Sequence, residues 1–401
     1  MTQSPRKKTG LVLSGGGARG AYEAGVLYYL FVSGPKDLRE KVKFDILSGT
    51  SIGALHACAI ASELHQIEEG MKKIANIWVN LSVDQVLDLQ IKDFLALSSW
   101  FLGKGSRESF FPGEPIKELL KQFVDWQRLH QNIDQGYLEA LTVSCTQVPT
   151  GKTVVFYETR DGRPRTFSRD PHVLSIYSRI EAEHARASAA IPFIFPSVPI
   201  DGIPYADGGL RQNTPLSPAL RAGSDRLLVI GLGHEKTFGD QGEVPEWKNK
   251  LTSPIFLFAK VLNAIMLDRV DYDLIRLDHF NRLLKQGEDA FGNEFISKMN
   301  QVLNPMRKAS YRYIPFLAIR PSKDLGVMAA HYLKNHKVKT KQMIMGKIIP
   351  LIAKLESQDE ADLCSYLLFD GDFCRNMFEL GMADAKMQHD ALQRFFDGVD
   401  E

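Results

Sequence analysis

Residues 46–55 read ILSGTSIGAL. Strand-favouring residues lead into Gly49, then Thr50, Ser51 and Ile52, then a second glycine, Gly53. Beyond it the chain turns small, apolar and helix-favouring. A serine hydroxyl is a weak nucleophile unless it is held out on a turn, given a base and faced with donors for an oxyanion. A sharp strand-to-helix turn supplies the exposure, and glycines on both sides let neighbouring backbone come close. The following helix adds its N-terminal N–H groups and the positive end of its dipole. Gly49-Thr50-Ser51-Ile52-Gly53 therefore reads as a nucleophile elbow. The competing reading of so short a pattern is a Gly/Ser turn that merely caps a helix. The flanks favour the elbow: FDIL (44–47) suits a buried strand, and ALHACAIAS (54–62) is apolar on every face, as a fully buried helix is.

Upstream, GLVLS (10–14) is a short strand that runs into GGGARG (15–20), with a helix from about Ala21 to Phe31. The chain thus opens strand–helix–strand–helix, which predicts a mainly parallel sheet between helical layers. A further helix is expected over 66–80. Residues 81–112 read as irregular and aromatic, with Phe94, Trp100, Phe101, Phe110 and Phe111. Such a cluster suits a buried core, or a mobile lid or interface-docking surface over 93–112. PIKELLKQFV (115–124) is helical. LEALTVSCTQV (138–148) and KTVVFYE (152–158) pair around a Pro-Thr-Gly turn. HARASAAIPFIFPSV (184–198) is a small-residue helix ending in a proline-rich loop. DGIPYADGGL (201–210) is a hairpin that delivers Asp207 to a turn, and DRLLVIGLG (225–233) is another buried strand. Beyond residue 245 the pattern is mostly helical, apart from YIPFLAIRPS (313–322), a returning strand. Ile344, Ile348 and Ile352 recur at four-residue spacing, and Pro350 should kink that helix or start a new one. The organisation expected is a catalytic core over 9–233 and a mainly helical portion over 234–401 packed on it.

The bulk properties narrow the function. The chain has 401 residues, 44% hydrophobic and 24% charged, ordinary values for a globular protein. Its formal net charge of +1 gives no electrostatic case for nucleic acid. Cys58, Cys145, Cys364 and Cys374 form no C-x-x-C pair and read as structural thiols of a reducing compartment. The basic N-terminus has no apolar stretch of the kind a secretory signal needs, and the apolar run near 253–267 is interrupted by Lys260. A cytoplasmic protein with, at most, peripheral membrane contact is expected. No H-E-x-x-H and no ligand-spaced cluster appears, so neither metal nor cofactor is expected.

Two further motifs bear chemistry. SGGGARG contains Gly15-x-Gly17-x-x-Gly20, which could be a dinucleotide fingerprint, but that reading wants an acidic residue where the serine elbow stands. Three consecutive glycines are better used as an oxyanion hole, whose loss by a single donor typically costs roughly 3–4 kcal/mol of barrier. Gly15, Gly16, Gly17, Arg19 and Gly20 are the candidates, with Arg19 adding charge or holding the loop. Asp207-Gly208-Gly209 is a carboxylate on a turn, able to accept the Ser51 proton, or else an Asx-type turn. His234, after a strand and downstream of Asp207, is the rival base of a Ser–His–Asp triad. His56, one turn past Ser51, reads as a helix residue held by local hydrogen bonds.

The three motifs in this order resemble the patatin-like phospholipase family. ARASAAIPFIFPSV followed by YADGGLRQNTPL is similar to that family's approach to its catalytic aspartate, and SYLLFDGDFCRNMFELGMADA to the C-terminal helices of bacterial members. The resemblance implies a three-layer α/β/α sandwich that hydrolyses acyl esters of phospholipids, lysophospholipids or neutral lipids without a metal. It implies Ser51 as nucleophile, Asp207 as base in a dyad without histidine, and residues 15–20 as the oxyanion loop, with Gly49, Gly53, Gly208 and Gly209 supporting the motifs. The implied partner is a lipid substrate at a membrane or micelle surface; oligomeric state is left open. An acyltransferase using the same dyad, or a non-enzymatic lipid-binding protein on a hydrolase fold, remain the alternatives.

Overall fold

The computed structural model describes residues 6–87, 109, 111–164, 170–234, 257, 260–261, 264, 268–307, 310–342, 345–356 and 361–399. Most of the aromatic stretch 93–112 and of the apolar run 253–267 lies outside these residues. In chain order the first elements are β1 (Thr9–Leu13), α1 (Gly20–Tyr28), α2 (Lys36–Lys41), β2 (Ile46–Thr50), α3 (Ile52–Glu63) and α4 (Ile67–Val79). Next come α5 (Glu114–Phe123), α6 (Trp126–Asp134), β3 (Ala140–Gln147), β4 (Thr153–Thr159) and β5 (Val173–Tyr177). Then follow α7 (Ala182–Ser188), β6 (Val198–Ile200), β7 (Ile203–Asp207), α8 (Leu216–Ala222) and β8 (Arg226–Ile230). The chain closes with α9 (Asp268–Phe291), α10 (Phe295–Arg307), β9 (Phe316–Ile319), α11 (Leu325–Asn335), α12 (Met345–Glu356), α13 (Asp362–Leu367), α14 (Gly371–Met387) and α15 (His389–Asp397).

The sheet runs β5-β4-β3-β2-β1-β8-β9. β3, β2, β1, β8 and β9 are mutually parallel, and β4 turns back antiparallel to β3 across the expected hairpin. Side chains alternate between two cores, as the period of two requires. Leu11 and Leu13 of β1, with Leu228 and Ile230 of β8, enter the larger core, while Val12, Leu227 and Val229 enter the smaller one under α8 and α9. Burial on both faces explains why these strands read as continuous apolar runs. The result is the mainly parallel α/β/α sandwich that the motif order predicted.

All twelve residues of α3 are buried, which accounts for its lack of a polar face. α1 packs against α14 so closely that a Cβ at Gly25 would lie 2.0 Å from Phe378 O, and one at Gly381 would lie 2.1 Å from Tyr22 O. The end of the chain is thereby part of the main core. Pro350 does not start a new helix; it sits inside α12, which runs from Met345 to Glu356.

Candidate active site

Ser51 directly follows β2 and has φ 54° and ψ −124°. A non-glycine residue at positive φ is strained, and the strain is maintained here by close packing on both sides. A Cβ at Gly49 would lie 2.2 Å from Gly53 O, and a Cβ at Gly53 would lie 2.3 Å from Leu13 O. Only glycine fits either position, because both clashes are with backbone that cannot rotate away. The strand, the turn and the helix tip are pressed together, and β1 ends against them.

Sheet register brings the carboxylate to the serine. Thr50 on β2 lies opposite Ser144 on β3, and the next β3 residue, Cys145, lies opposite Asp207 on β7. β7 takes over the edge of β3 that β2 leaves when it turns into the elbow. Ser51 Oγ donates to Asp207 Oδ2 at 2.6 Å, and both residues are 1% exposed. Asp207 is held on every side: Gly209 N–H donates to its Oδ1 at 2.6 Å, Thr146 Oγ1 donates to its carbonyl at 2.9 Å, and its own N–H donates to Ala190 O at 2.8 Å. Gly208 backs against Ser144 O, where a Cβ would come within 2.2 Å. Burial pushes the Asp207 carboxyl up to about 7, against the hydrogen bonds from Ser51 and Gly209 that favour its charged form.

Sequence reasoning missed Ser188. Its hydroxyl accepts from Ser51 N–H at 2.8 Å and donates to Ser144 O at 2.6 Å, so it holds the strained residue's backbone. It lies in the quoted small-residue helix, but a hydroxyl that serves a distant N–H leaves no spacing signal. Asn213 was also missed. Gly15 N–H donates to Asn213 O at 3.1 Å, and Asn213 Nδ2 donates back to Gly15 O at 3.0 Å. Its Oδ1 is buried without a hydrogen-bond partner, next to a point beside Gly15 that lies 3.0 Å from Ser51 Cβ.

The glycine loop starts against the serine and continues onto the C-terminal helices. Among the described residues, the N–H groups of Gly16, Gly17 and Ile52 donate to no protein acceptor. Gly17 has φ 56°, and a Cβ there would lie 2.4 Å from Tyr366 O. Gly16 backs on Leu232, and Gly20 on Ile52. Arg19 takes the loop-holding option: its N–H donates to Gly16 O, its Nε donates to Ser365 Oγ at 2.7 Å, and its Nη2 pairs with Asp362 at 3.3 Å. The guanidinium lies 4.3 Å from the centre of the Tyr366 ring. Its backbone N–H, Nε and Nη2 are thus committed to the loop and to α13.

The histidines are engaged elsewhere. His234 Nδ1 lies 2.9 Å from Pro321 O, and among the described residues no imidazole bonds Ser51 or Asp207. The bonds that hold His56 are tertiary, not local: Trp78 Nε1 donates to its Nε2 at 2.9 Å, so Nδ1 carries the proton that meets Glu23 at 2.8 Å. Burial drives this pair away from charge, the Glu23 carboxyl up and the His56 imidazole down to about 3. The four cysteines are free and buried. Among the described residues no group of three or more His, Cys, Asp or Glu could hold a metal ion.

The model of the patatin-like phospholipases matches residues 11–220, a span that contains the elbow, the glycine loop and Asp207. The chain belongs to the patatin-like phospholipase family. As a member it is a lipid acyl hydrolase, and its substrates are lipids. Among solved structures, VipD from Legionella pneumophila aligns over 94% of this chain and 67% of its own, at 15% identity and a TM-score of 0.34. No curated protein matches the sequence.

Proposed function

We propose that this patatin-like phospholipase cleaves fatty-acyl esters of phospholipids or lysophospholipids through a Ser51–Asp207 dyad. The observation that carries the reading is the 2.6 Å hydrogen bond from Ser51 Oγ to Asp207 Oδ2. Ser51 Oγ attacks the ester carbonyl carbon and its proton passes to Asp207. The carbonyl oxygen becomes an oxyanion facing the N–H groups of Gly16, Gly17 and Ile52, the last being the residue after the nucleophile. The tetrahedral intermediate collapses, and Asp207 returns the proton to the departing alcohol. Water then attacks the acyl-serine, gives a proton to Asp207, and the fatty acid leaves as Ser51 recovers its hydrogen. Arg19 acts in this scheme only by holding the loop. Gly49, Gly53 and Gly208 admit the close backbone approaches that set the geometry, and Gly209 orients the carboxylate.

The test is product analysis on vesicles of mixed phospholipid and lysophospholipid, with and without an added alcohol acceptor. Free fatty acid is the expected product, unchanged by the acceptor and absent with Ser51→Ala. An acylated acceptor as the main product would make the protein an acyltransferase, and wild-type release by Ser51→Ala would refute the dyad.

A further inference from the structure

The chain's charge is nearly balanced overall, yet residues 325–355 carry six lysines and no acidic residue. Two structural facts turn this bias into a surface. First, α12 segregates its side chains. Met345, Ile349 and Ala353 face the core, whereas Lys347, Leu351 and Lys354 share the outer face at i, i+4 and i+7. Leu351 is 54% exposed between the two lysines. Second, the segment that leads into α12 exposes Lys337 and Lys341, while its nearby acids are occupied. Asp84 accepts from Thr340 Oγ1 and Lys341 N–H, Asp370 from Lys339 N–H and Tyr332, and Asp372 pairs with Lys339 Nζ at 2.6 Å. Among the described residues Lys337, Lys341, Lys347 and Lys354 enter no ion pair.

We infer that Lys337, Lys341, Lys347, Lys354 and Leu351 form a docking face for an anionic lipid surface. The inference rests on the lipid-hydrolase reading, because an enzyme whose substrate is an aggregated lipid must first reach that aggregate. Clustered lysines supply the long-range attraction to anionic headgroups, each worth about fivefold in binding near the surface, and the leucine side chain enters between headgroups. A face of unpaired lysines whose nearby acids are already bonded, with an apolar residue on it, suits this partner better than a polar protein surface, which would pair the lysines and leave Leu351 unmatched. The helix that carries the face is tied to the glycine loop through buried bonds. Glu356, at the end of α12, accepts from the N–H groups of Leu363 and Cys364 at 2.6 and 3.1 Å, and α13 in turn braces Gly17 and Arg19.

The experiment uses the full chain carrying Ser51→Ala, so that vesicles are not consumed, and measures co-sedimentation. The vesicles are phosphatidylcholine alone or phosphatidylcholine with a quarter phosphatidylserine. Binding should rise with phosphatidylserine and fall with salt. The variant K337Q/K341Q/K347Q/K354Q should bind the anionic vesicles more than a hundredfold more weakly, and L351S should bind both compositions more weakly. In a background with Ser51 intact, the lysine variant should turn over a monomeric soluble ester at the wild-type rate, which also shows that it folds. Equal binding to both compositions, undiminished anionic binding by the lysine variant, or lysine-dependent binding to heparin without vesicle binding would each overturn the proposal. No turnover of the soluble ester by the wild type, with anionic binding intact, would instead defeat the dyad and leave the docking face standing.

Discussion

Asp207 carries a conflict that makes the site testable. The carboxylate must be ionised to take the Ser51 proton, yet burial holds it near 7. Turnover of a soluble ester should therefore rise with pH through about 7 and flatten above it, a profile read directly from kcat/KM. The same shift has a consequence for stability. A carboxyl whose folded pKa exceeds its unfolded one keeps a proton that the unfolded chain releases, so stability falls as pH rises from about 4 to about 7. Asp207→Asn removes the buried charge while Gly209 keeps an acceptor. It should lose roughly 10²–10⁴-fold in turnover and melt at a higher temperature than the wild type at pH 8, with the gap closing toward pH 4. A lower melting temperature at pH 8 would show that the carboxylate is stabilising and that its pKa is not raised. Ser188 is the other residue-scale lever. Ser188→Ala leaves Ser51 N–H buried without an acceptor at a strained backbone, which costs about 1–3 kcal/mol and should lower kcat by roughly 5- to 150-fold with KM nearly unchanged. Unaltered kcat would mean that the elbow keeps its shape without that bond. The meeting of Ser51 with Asp207 was legible in the sequence, because each sits in a short glycine-marked turn. Ser188 and Asn213 were not, because they act on backbone atoms far away in the chain.

At the scale of elements, the glycine loop rests on α13, from a part of the chain beyond the family match. Arg19 spans the joint, with its side chain 3% exposed and its partner Asp362 4% exposed. Asp362 also pairs with Lys260 Nζ at 2.9 Å, so Arg19→Ala removes one of two cationic partners and the charge-assisted hydrogen bond to Ser365, a loss of about 1–3 kcal/mol. Arg19→Ala should therefore lose stability of that order, and less than a fully orphaned buried charge would cost, in denaturant unfolding, and the surviving enzyme should turn over more slowly because the loop is no longer braced. A variant of wild-type stability would show the contact to be incidental. The sequence showed Arg19 inside a catalytic motif and so suggested a charge for the oxyanion; its actual partners, Ser365 and Asp362, are more than three hundred residues away. The strands and most helices were legible from their apolar periodicity. β5 was missed because an edge strand with mixed exposure has neither an apolar run nor a clean alternation.

For the molecule as a whole, β9 joins the sheet beside β8 and α14 fills the groove along α1, so the C-terminal portion completes both the sheet and the main core. A returning strand and a C-terminal portion packed on the core were expected from the sequence, but not which strand or which helix they would meet, since neither strand register nor helix–helix contact is written in local pattern. Of the described helices none is long and apolar enough to cross a membrane. The proposed chemistry turns on one covalent event, the transfer of an acyl group to Ser51. The direct measurement is intact-protein and peptide mass spectrometry after treatment with a fluorophosphonate, which phosphonylates an activated serine and mimics the tetrahedral intermediate. A single adduct is expected on the peptide containing Ser51, absent in Ser51→Ala and formed far more slowly in Asp207→Asn. An adduct at another serine, or labelling of Asp207→Asn at the wild-type rate, would contradict it.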